Sequence, residues 1–274
     1  MEIDTWQKRL KISILIPTHN GYEILKNCID SVFNKTTYAD YEIIIIDNRS
    51  NDAHTIRYLD QLNSEFSNIQ VLSWNKPFNF SAMNNYAVSC SKGEMLCLLN
   101  NDTEVISPGW LEEMMKLAVS EDIGCVGALL FYPDDTVQHA GVVLGVNGVA
   151  DHIYKNLPKS ELLNHQWFHS VQVCSAVTAA CLFVRKKVYL QVGGMDEKNL
   201  PVAYNDVDFC LNLEAVGFKN LWTPNVQLYH HESKTRKKIF YPLRKLRLRK
   251  EKHYMKKKWG TKLRSDPYFP VLKQ

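Results

Sequence analysis

Two acidic stations, far apart in the chain, carry the residue types that could do chemistry: Leu98-Leu99-Asn100-Asn101-Asp102 and Tyr204-Asn205-Asp206-Val207-Asp208. An apolar run that delivers a carboxylate at its end can hold a hard divalent cation, because Mg2+ or Mn2+ takes one or two carboxylates and completes its shell with water and substrate phosphates. A second carboxylate brought alongside can take a proton. The combination points to group transfer from a phosphorylated donor. Each station also has a plainer reading. Asp102, with Asn101 and Thr103, could cap the segment that follows, and Asp206 or Asp208 could cap the helix it opens, where the helix dipole favours negative charge. Residues i and i+2 of a helix point in different directions, so one base and one structural carboxylate is the better division.

Elements that could position these stations are legible around them. Ile12 to Pro17 and Ile43 to Asp47 are short β-branched runs, the pattern of strands buried on both faces of a parallel sheet. Between them Ile24, Leu25, Cys28, Ile29, Val32 and Phe33 recur at helical spacing over Tyr22 to Phe33, with Asn20 as a possible cap. The pattern continues with a helix at Ala53 to Glu65, a strand at Ile69 to Ser73, a helix at Ser81 to Ser91 and a strand at Met95 to Leu99. Such alternation predicts an α/β sheet whose ligands sit at the carboxyl ends of its strands. The second half reads as a helix at Trp110 to Val119, apolar stretches at Ile123 to Phe131, Gly141 to Val146 and Val171 to Val184, a helix from Asp206 to Ala215 and a strand at Val226 to His230. The two halves are expected to share one sheet.

Composition narrows the class. A chain of 274 residues with 45% hydrophobic and 23% charged residues can bury a full core, which excludes disordered and fibrous classes. No apolar stretch approaches the roughly 20 residues that cross a bilayer, and Met1 to Lys11 lacks the apolar centre of a signal peptide, so a cytoplasmic location is expected. The seven cysteines show no C-x-x-C pair and read as reduced, packed residues. The net charge of +4 hides an asymmetry: Lys234 to Arg264 holds 15 Lys or Arg against one acid, Glu251, leaving the rest of the chain negative.

Further polar groups fall at strand ends. Pro17-Thr18-His19-Asn20-Gly21 and Asp47-Asn48-Arg49-Ser50-Asn51-Asp52 would form one crevice in a parallel sheet, suited to a nucleotide, although the same residues favour ordinary turns. Neither a G-x-G-x-x-G fingerprint nor a Walker loop is present. Of His230-His231, one imidazole could reach a metal or phosphate, and Arg236 close behind suits a diphosphate. His139, His152, His165 and His169 read as surface or satisfied structural histidines.

In order along the chain, SILIPTHNGYEILKNCIDSV, YEIIIIDNRSND, FNFSAMNNYAVSCSKGEMLCLLNNDTEV, VTAACLFVRKKVYLQVGGMDE, NDVDFCLNLEAVGF and LYHHESKTR resemble the inverting glycosyltransferases of family 2, in the bacterial branch that builds O-antigen, capsule or rhamnose-rich wall polysaccharides. The resemblance implies a GT-A fold, with a mixed, mostly parallel sheet flanked by helices, a UDP- or dTDP-linked sugar donor, and Mn2+ or Mg2+. It assigns the nucleotide to Pro17, Thr18, Asn20, Asp47, Ser50, Asn85, Asn100, Asn101 and Arg236. Asp102 matches the last position of the family's D-x-D motif as metal ligand, with His230 completing the metal or diphosphate site. The first two motif positions are Asn here, so the metal meets one negative charge fewer. Asp206 stands at the base position, and Gly193, Gly194, Met195 and Asp196 match the turn bordering the acceptor sugar, to which His139 is a minor addition. Asn212 departs from the Arg that relatives commonly carry.

The resemblance runs to Arg236 and suggests a catalytic domain over residues 1–236 and a basic extension over 237–274. Pro242 to Trp259 reads as a basic amphipathic helix, suited to the anionic cytoplasmic face of a bacterial membrane, where a lipid-linked glycan acceptor would be met. The competing expectation is a helix whose apolar side packs on the catalytic domain. Two other functions stay open at this level: a nucleotidyltransferase, for which THNGYE is an unsuitable phosphate loop, and a binding module that holds nucleic acid or anionic polymer through the tail.

Overall fold

The computed structural model of the chain describes residues 10–231 and 241–269, the side chains of 241–243 excepted. Arg236 and residues 237–240 of the proposed extension lie outside the described residues.

The β-branched runs form β1 (Ile12–Thr18) and β2 (Tyr41–Asp47), joined by α1 (Tyr22–Lys35). After them come α2 (Ala53–Glu65), β3 (Ile69–Ser73), α3 (Phe80–Cys90) and β4 (Met95–Leu99). Side chains of each central strand alternate between two cores. Leu15, Ile44, Ile46, Leu96 and Leu98 face one, while Ile14, Ile16, Ile43, Ile45 and Cys97 face the other. A strand covered on both sides has no polar face, which is why these segments read as unbroken apolar runs. Helices α1 and α2 cover the second face with Leu25, Ile29, Val32, Leu59 and Leu62. Helix α3 covers the first with Met83, Ala87 and Val88. Asp52 and Asn79 cap α2 and α3 by accepting from Thr55 N at 2.8 Å and Ala82 N at 2.9 Å, which places polar loops at the carboxyl ends of β2 and β3.

The chain continues through β5 (Thr103–Val105), α4 (Trp110–Ala118), β6 (Ile123–Phe131), β7 (Val137–His139), β8 (Val142–Leu144), β9 (Ala150–His152), β10 (Gln172–Cys174) and β11 (Cys181–Arg185). It ends with α5 (Lys186–Gln191), α6 (Asn205–Ala215), β12 (Lys219–His230) and α7 (Tyr241–Trp259). The main sheet has the order β10-β12-β6-β11-β4-β1-β2-β3, with β5 paired to β12 and β7 to β6; β8 and β9 form a separate ribbon. β3-β2-β1-β4 are parallel, β11 enters antiparallel between β4 and β6, and β12 returns parallel to β6. One mixed sheet thus unites the halves, as expected.

Three sequence expectations change. The final strand begins at Lys219, well before Val226, with a register shift between Thr223 and Gln227. Asn20 does not cap α1, whose N-cap is Gly21 at φ 77°; its side chain is held by the 50–52 loop instead. The basic helix α7 does not gather its apolar residues on an outward face. Met255 is fully buried, whereas Leu246 and Leu248 are exposed. Among the described residues no helix is long and apolar enough to cross a membrane.

Candidate active site

The carboxyl ends of β1 and β4, the end of β12 and the start of α6 converge on a cavity of about 550 Å3. Pro17, Thr18, Asn100, Asn101, Asp102, Asp206 and His230 all line it. Residues from both acidic stations therefore share one chamber, although the stations lie on different elements.

The turn after β4 is closed by Thr103 Oγ1, which donates to Asn100 O at 2.8 Å. β5 then pairs with β12 so that Thr103 lies opposite His230, and His231 N donates to Asp102 O at 2.8 Å. This pairing brings His230 Nε2 to 3.1 Å from Asp102 Oδ1, both residues being 8% exposed. Gln138 of β7 fixes the imidazole. Its Nε2 donates to His230 O at 3.4 Å, so its Oε1 accepts from His230 Nδ1–H at 2.6 Å. In the neutral ring Nε2 then carries the lone pair, turned toward Asp102 and Asn100 Nδ2, the latter at 3.1 Å.

A buried imidazole nitrogen beside a carboxylate oxygen, with the second ring nitrogen tied to an amide, fits a metal-binding histidine with its orienting partner. Two neighbouring ligands at right angles around an octahedral cation with bonds of about 2.1 Å lie about 3 Å apart, which matches the pair. Among the described residues no group of three His, Cys, Asp or Glu could hold a metal. A cation at the Asp102–His230 pair would need its other ligands from water or from a bound molecule. The two asparagines have tasks of their own: Asn101 Nδ2 donates to Thr18 Oγ1 at 2.9 Å, tying β4 to β1, and Asn100 contacts His230.

On the facing wall α6 opens at Tyr204, in the left-handed region at φ 59°. Asp206 Oδ2 accepts from Ala179 N at 3.2 Å and Oδ1 from Val207 N at 2.9 Å. These bonds orient the carboxylate while it still lines the cavity. Asp208 is fully buried and points elsewhere, accepting from Trp259 Nε1 at 2.7 Å and Asn212 Nδ2 at 3.1 Å and pairing with Lys258 Nζ at 2.8 Å. The division into one cavity carboxylate and one structural carboxylate follows the helix geometry. Asn212 joins the structural cluster through its bond to Asp208.

Asn20, Asp47 and Ser50 form an interlocked rim. Ser50 Oγ donates to Asp47 Oδ1 at 2.5 Å and accepts from Asn20 N at 2.7 Å, while Asn20 Oδ1 accepts from Asn51 N at 2.8 Å and Asp52 N at 3.0 Å. Their neighbours His19 and Asn48 reach the cavity itself, and His19 Nδ1–H donates to Asn48 O at 2.8 Å.

Asn85, Gly193, Gly194, Met195 and Asp196 come together, but around a separate surface recess. Asn85 uses all four of its hydrogen-bonding positions. Oδ1 accepts from Tyr189 OH at 2.6 Å and Met195 N at 3.0 Å; Nδ2 donates to Met195 O at 2.9 Å and Glu197 Oε2 at 3.0 Å. A saturated amide has nothing left to offer a nucleotide. Asp196 is spent on Asn199 N, at 2.9 Å, and Lys198 N, at 3.2 Å. Asn85 and the Gly193–Asp196 turn thus stand together around a recess of their own, apart from the cavity that Asp102 and Asp206 line.

The sequence reading missed Gln138, His152 and Tyr204, which line the cavity. His139 lies behind that wall, fully buried, with Nδ1 2.8 Å from His152 Nδ1. Burial, and then the neighbouring His152 and His230, hold its pKa well below the ordinary histidine value. Only His139, named as a minor addition to the expected acceptor border, carried a signal for this wall.

Comparison with known proteins bears on the family and the fold. The family described as Glycosyl transferase family 2 matches residues 13–188. The chain is 43% identical over 262 residues to the Sinorhizobium fredii protein y4gI, covering 95% of this chain and 29% of that protein. It is 36% identical over 231 residues to the O-antigen biosynthesis protein RfbC of Myxococcus xanthus, covering 83% and 18%. The chain thus spans less than a third of either relative. GalNAc-T7 solved with UDP, GalNAc and Mn2+ superposes at TM-score 0.69 and 16% identity, over 82% of this chain and 44% of that one. The mannosyltransferase PcManGT of Pyrobaculum calidifontis, solved with GDP-Man and Mn2+, does so at 0.62 and 13%, over 88% and 61%. At these identities the two structures establish the GT-A fold alone.

Proposed function

The chain belongs to glycosyl transferase family 2, and on that premise we propose that it moves a sugar from a nucleotide-diphosphate donor to a hydroxyl of a growing bacterial surface polysaccharide, inverting the anomeric carbon. The observation that carries the reading is the cavity itself, with the Asp102–His230 pair on one wall and Asp206 on the other. The similarity to RfbC supports the product class, and the nucleotides and Mn2+ bound by the structural neighbours support the donor class and a divalent metal.

In this mechanism Pro17, Thr18, Asn100 and Asn101, with the rim of Asn20, Asp47 and Ser50, receive the nucleotide, and Asp102 and His230 would hold Mn2+ or Mg2+. When bound, the cation offsets the charge that develops on the departing diphosphate. Asp206 accepts the proton of the acceptor hydroxyl. That oxygen forms its bond to the anomeric carbon from the face opposite the leaving group, the bond from carbon to diphosphate oxygen breaks, and a nucleoside diphosphate leaves. Arg236, outside the described residues, is proposed to assist at the diphosphate.

For location we propose the anionic inner face of the membrane. Lys245, Arg249, Lys250, Lys256 and Lys257 are exposed along α7, and a lipid-linked acceptor would be met there.

The test of function is a panel of UDP-, dTDP- and GDP-sugars with Mn2+ or Mg2+, read by thermal stabilisation and then by transfer to a glycan acceptor. A ligand at about 100 times its dissociation constant adds about 2.7 kcal/mol. Metal-dependent stabilisation by one donor class, followed by transfer from it, is expected. Stabilisation by none, with salt-sensitive binding of nucleic acid, would contradict the proposal.

A further inference from the structure

Helix α7, with the turn that follows it at Gly260–Arg264, grips both flanks of Asp206. On the near side Glu251, 1% exposed, accepts through Oε1 from Val202 N at 2.9 Å and Ala203 N at 3.0 Å. Val202, Tyr204, Asn205, Asp206 and Val207 all line the cavity. The segment before α6 is irregular and ends in a non-glycine residue at positive φ, so it lacks the ladder bonds that would otherwise hold it. On the far side Lys258 and Trp259 hold the buried Asp208 carboxylate, and Lys262 Nζ pairs with Glu214 Oε2 at 3.1 Å. Met255 sits fully buried between these grips.

A buried carboxylate is costly unless its oxygens accept hydrogen bonds. Here Oε1 fixes two consecutive backbone amides just upstream of the proposed base, while Oε2 has, among the described residues, only Arg247 Nε at 3.7 Å, and burial raises the pKa of the carboxyl. We infer that α7 is a positioning element of the active site, and that Glu251 is a positioning residue that holds the Val202–Asp206 wall in register with the facing Asp102–His230 wall. The catalytic part of this inference rests on the assignment of Asp206 as the base. The mechanical part, that Glu251 immobilises the wall, does not.

The experiment compares the full chain with its Glu251→Ala and Glu251→Gln variants by amide hydrogen exchange and by transfer kinetics with a glycan acceptor and a donor sugar found in the panel above. Glu251→Ala is expected to speed exchange at Val202 and Ala203 by about tenfold or more. It is also expected to lower kcat by about 10- to 100-fold while the donor KM stays within about twofold. Glu251→Gln keeps an acceptor oxygen and is expected to stay within about threefold of the natural chain in both readouts. Unchanged exchange in Glu251→Ala overturns the inference, as does a loss of kcat matched by an equal loss of donor binding. Should Glu251→Ala fail to fold, Trp259→Phe takes its place, removing the indole donor to Asp208 and part of the ring's packing while keeping an aromatic side chain. Faster exchange across Asp206 to Asp208 then supports the inference, and unaltered exchange overturns it. A natural chain that transfers no sugar would overturn the catalytic assignment, leaving the exchange arm to decide the mechanical one.

Discussion

Asp206 and Asp208 stand two residues apart and serve different masters: one carboxylate lines the cavity, and the other is fully buried among Trp259, Lys258 and Asn212. That division was legible from residue spacing, because it depends on where α6 begins; that an imidazole after the last strand would join Asp102 came only from the family resemblance. Gln138 was not legible, since its task is set by a partner 92 positions away. Removing the residue that orients a metal-binding histidine costs about 10- to 100-fold in metal affinity. Gln138→Ala is therefore expected to weaken Mn2+-dependent donor binding by that factor in a calorimetric titration. Unchanged binding would separate His230 from the metal. His139 yields a pH prediction. Its folded pKa is depressed by burial, so the unfolded chain takes up a proton that the folded chain refuses. Stability should fall as pH drops below about 6.5, by up to about 1.4 kcal/mol per pH unit, until the folded pKa is passed. His139→Gln should flatten this part of the profile in denaturant titrations between about pH 7 and 5.

At the scale of elements, the β1-α1-β2 unit and the strand to Leu99 were readable because a strand buried on both faces and an amphipathic helix each write their own local pattern. The recess around Asn85 was not, since it depends on a contact between α3 and the loop after α5. Gly194 sits at φ 72°, and a Cβ there would lie 2.6 Å from Asn85 Oδ1. Strained backbone of this kind costs about 1 to 3 kcal/mol, so Gly194→Ala is expected to lower stability by that amount in thermal unfolding. Its kcat should remain within about twofold of the natural chain below the melting range, because the loop does not line the cavity with Asp206. Lost transfer at unchanged stability would return this turn to the acceptor site. Helix α7 shows a further limit of sequence reading. Its cations dominated the pattern, and the buried Glu251 and Met255 that dock it were hidden among them.

The whole molecule combines a negative catalytic body with a cationic helix whose inner side is engaged and whose outer side is exposed. A cation close to an anionic membrane surface contributes about 1 kcal/mol. Replacing Lys250, Lys256 and Lys257 by Gln should therefore reduce co-sedimentation with vesicles containing phosphatidylglycerol while leaving transfer to a water-soluble acceptor intact; equal co-sedimentation would remove the membrane from the account. The central claim concerns the two walls of the cavity, and one paired measurement addresses it. Donor and Mn2+ binding and sugar transfer are measured on the same preparations of the natural chain, Asp206→Asn and Asp102→Ala. The account predicts that Asp206→Asn binds donor as the natural chain does but loses a factor of about 10² to 10⁴ in transfer, and that Asp102→Ala loses metal-dependent donor binding. Near-normal turnover by Asp206→Asn, or an unchanged metal titration with Asp102→Ala, would contradict it.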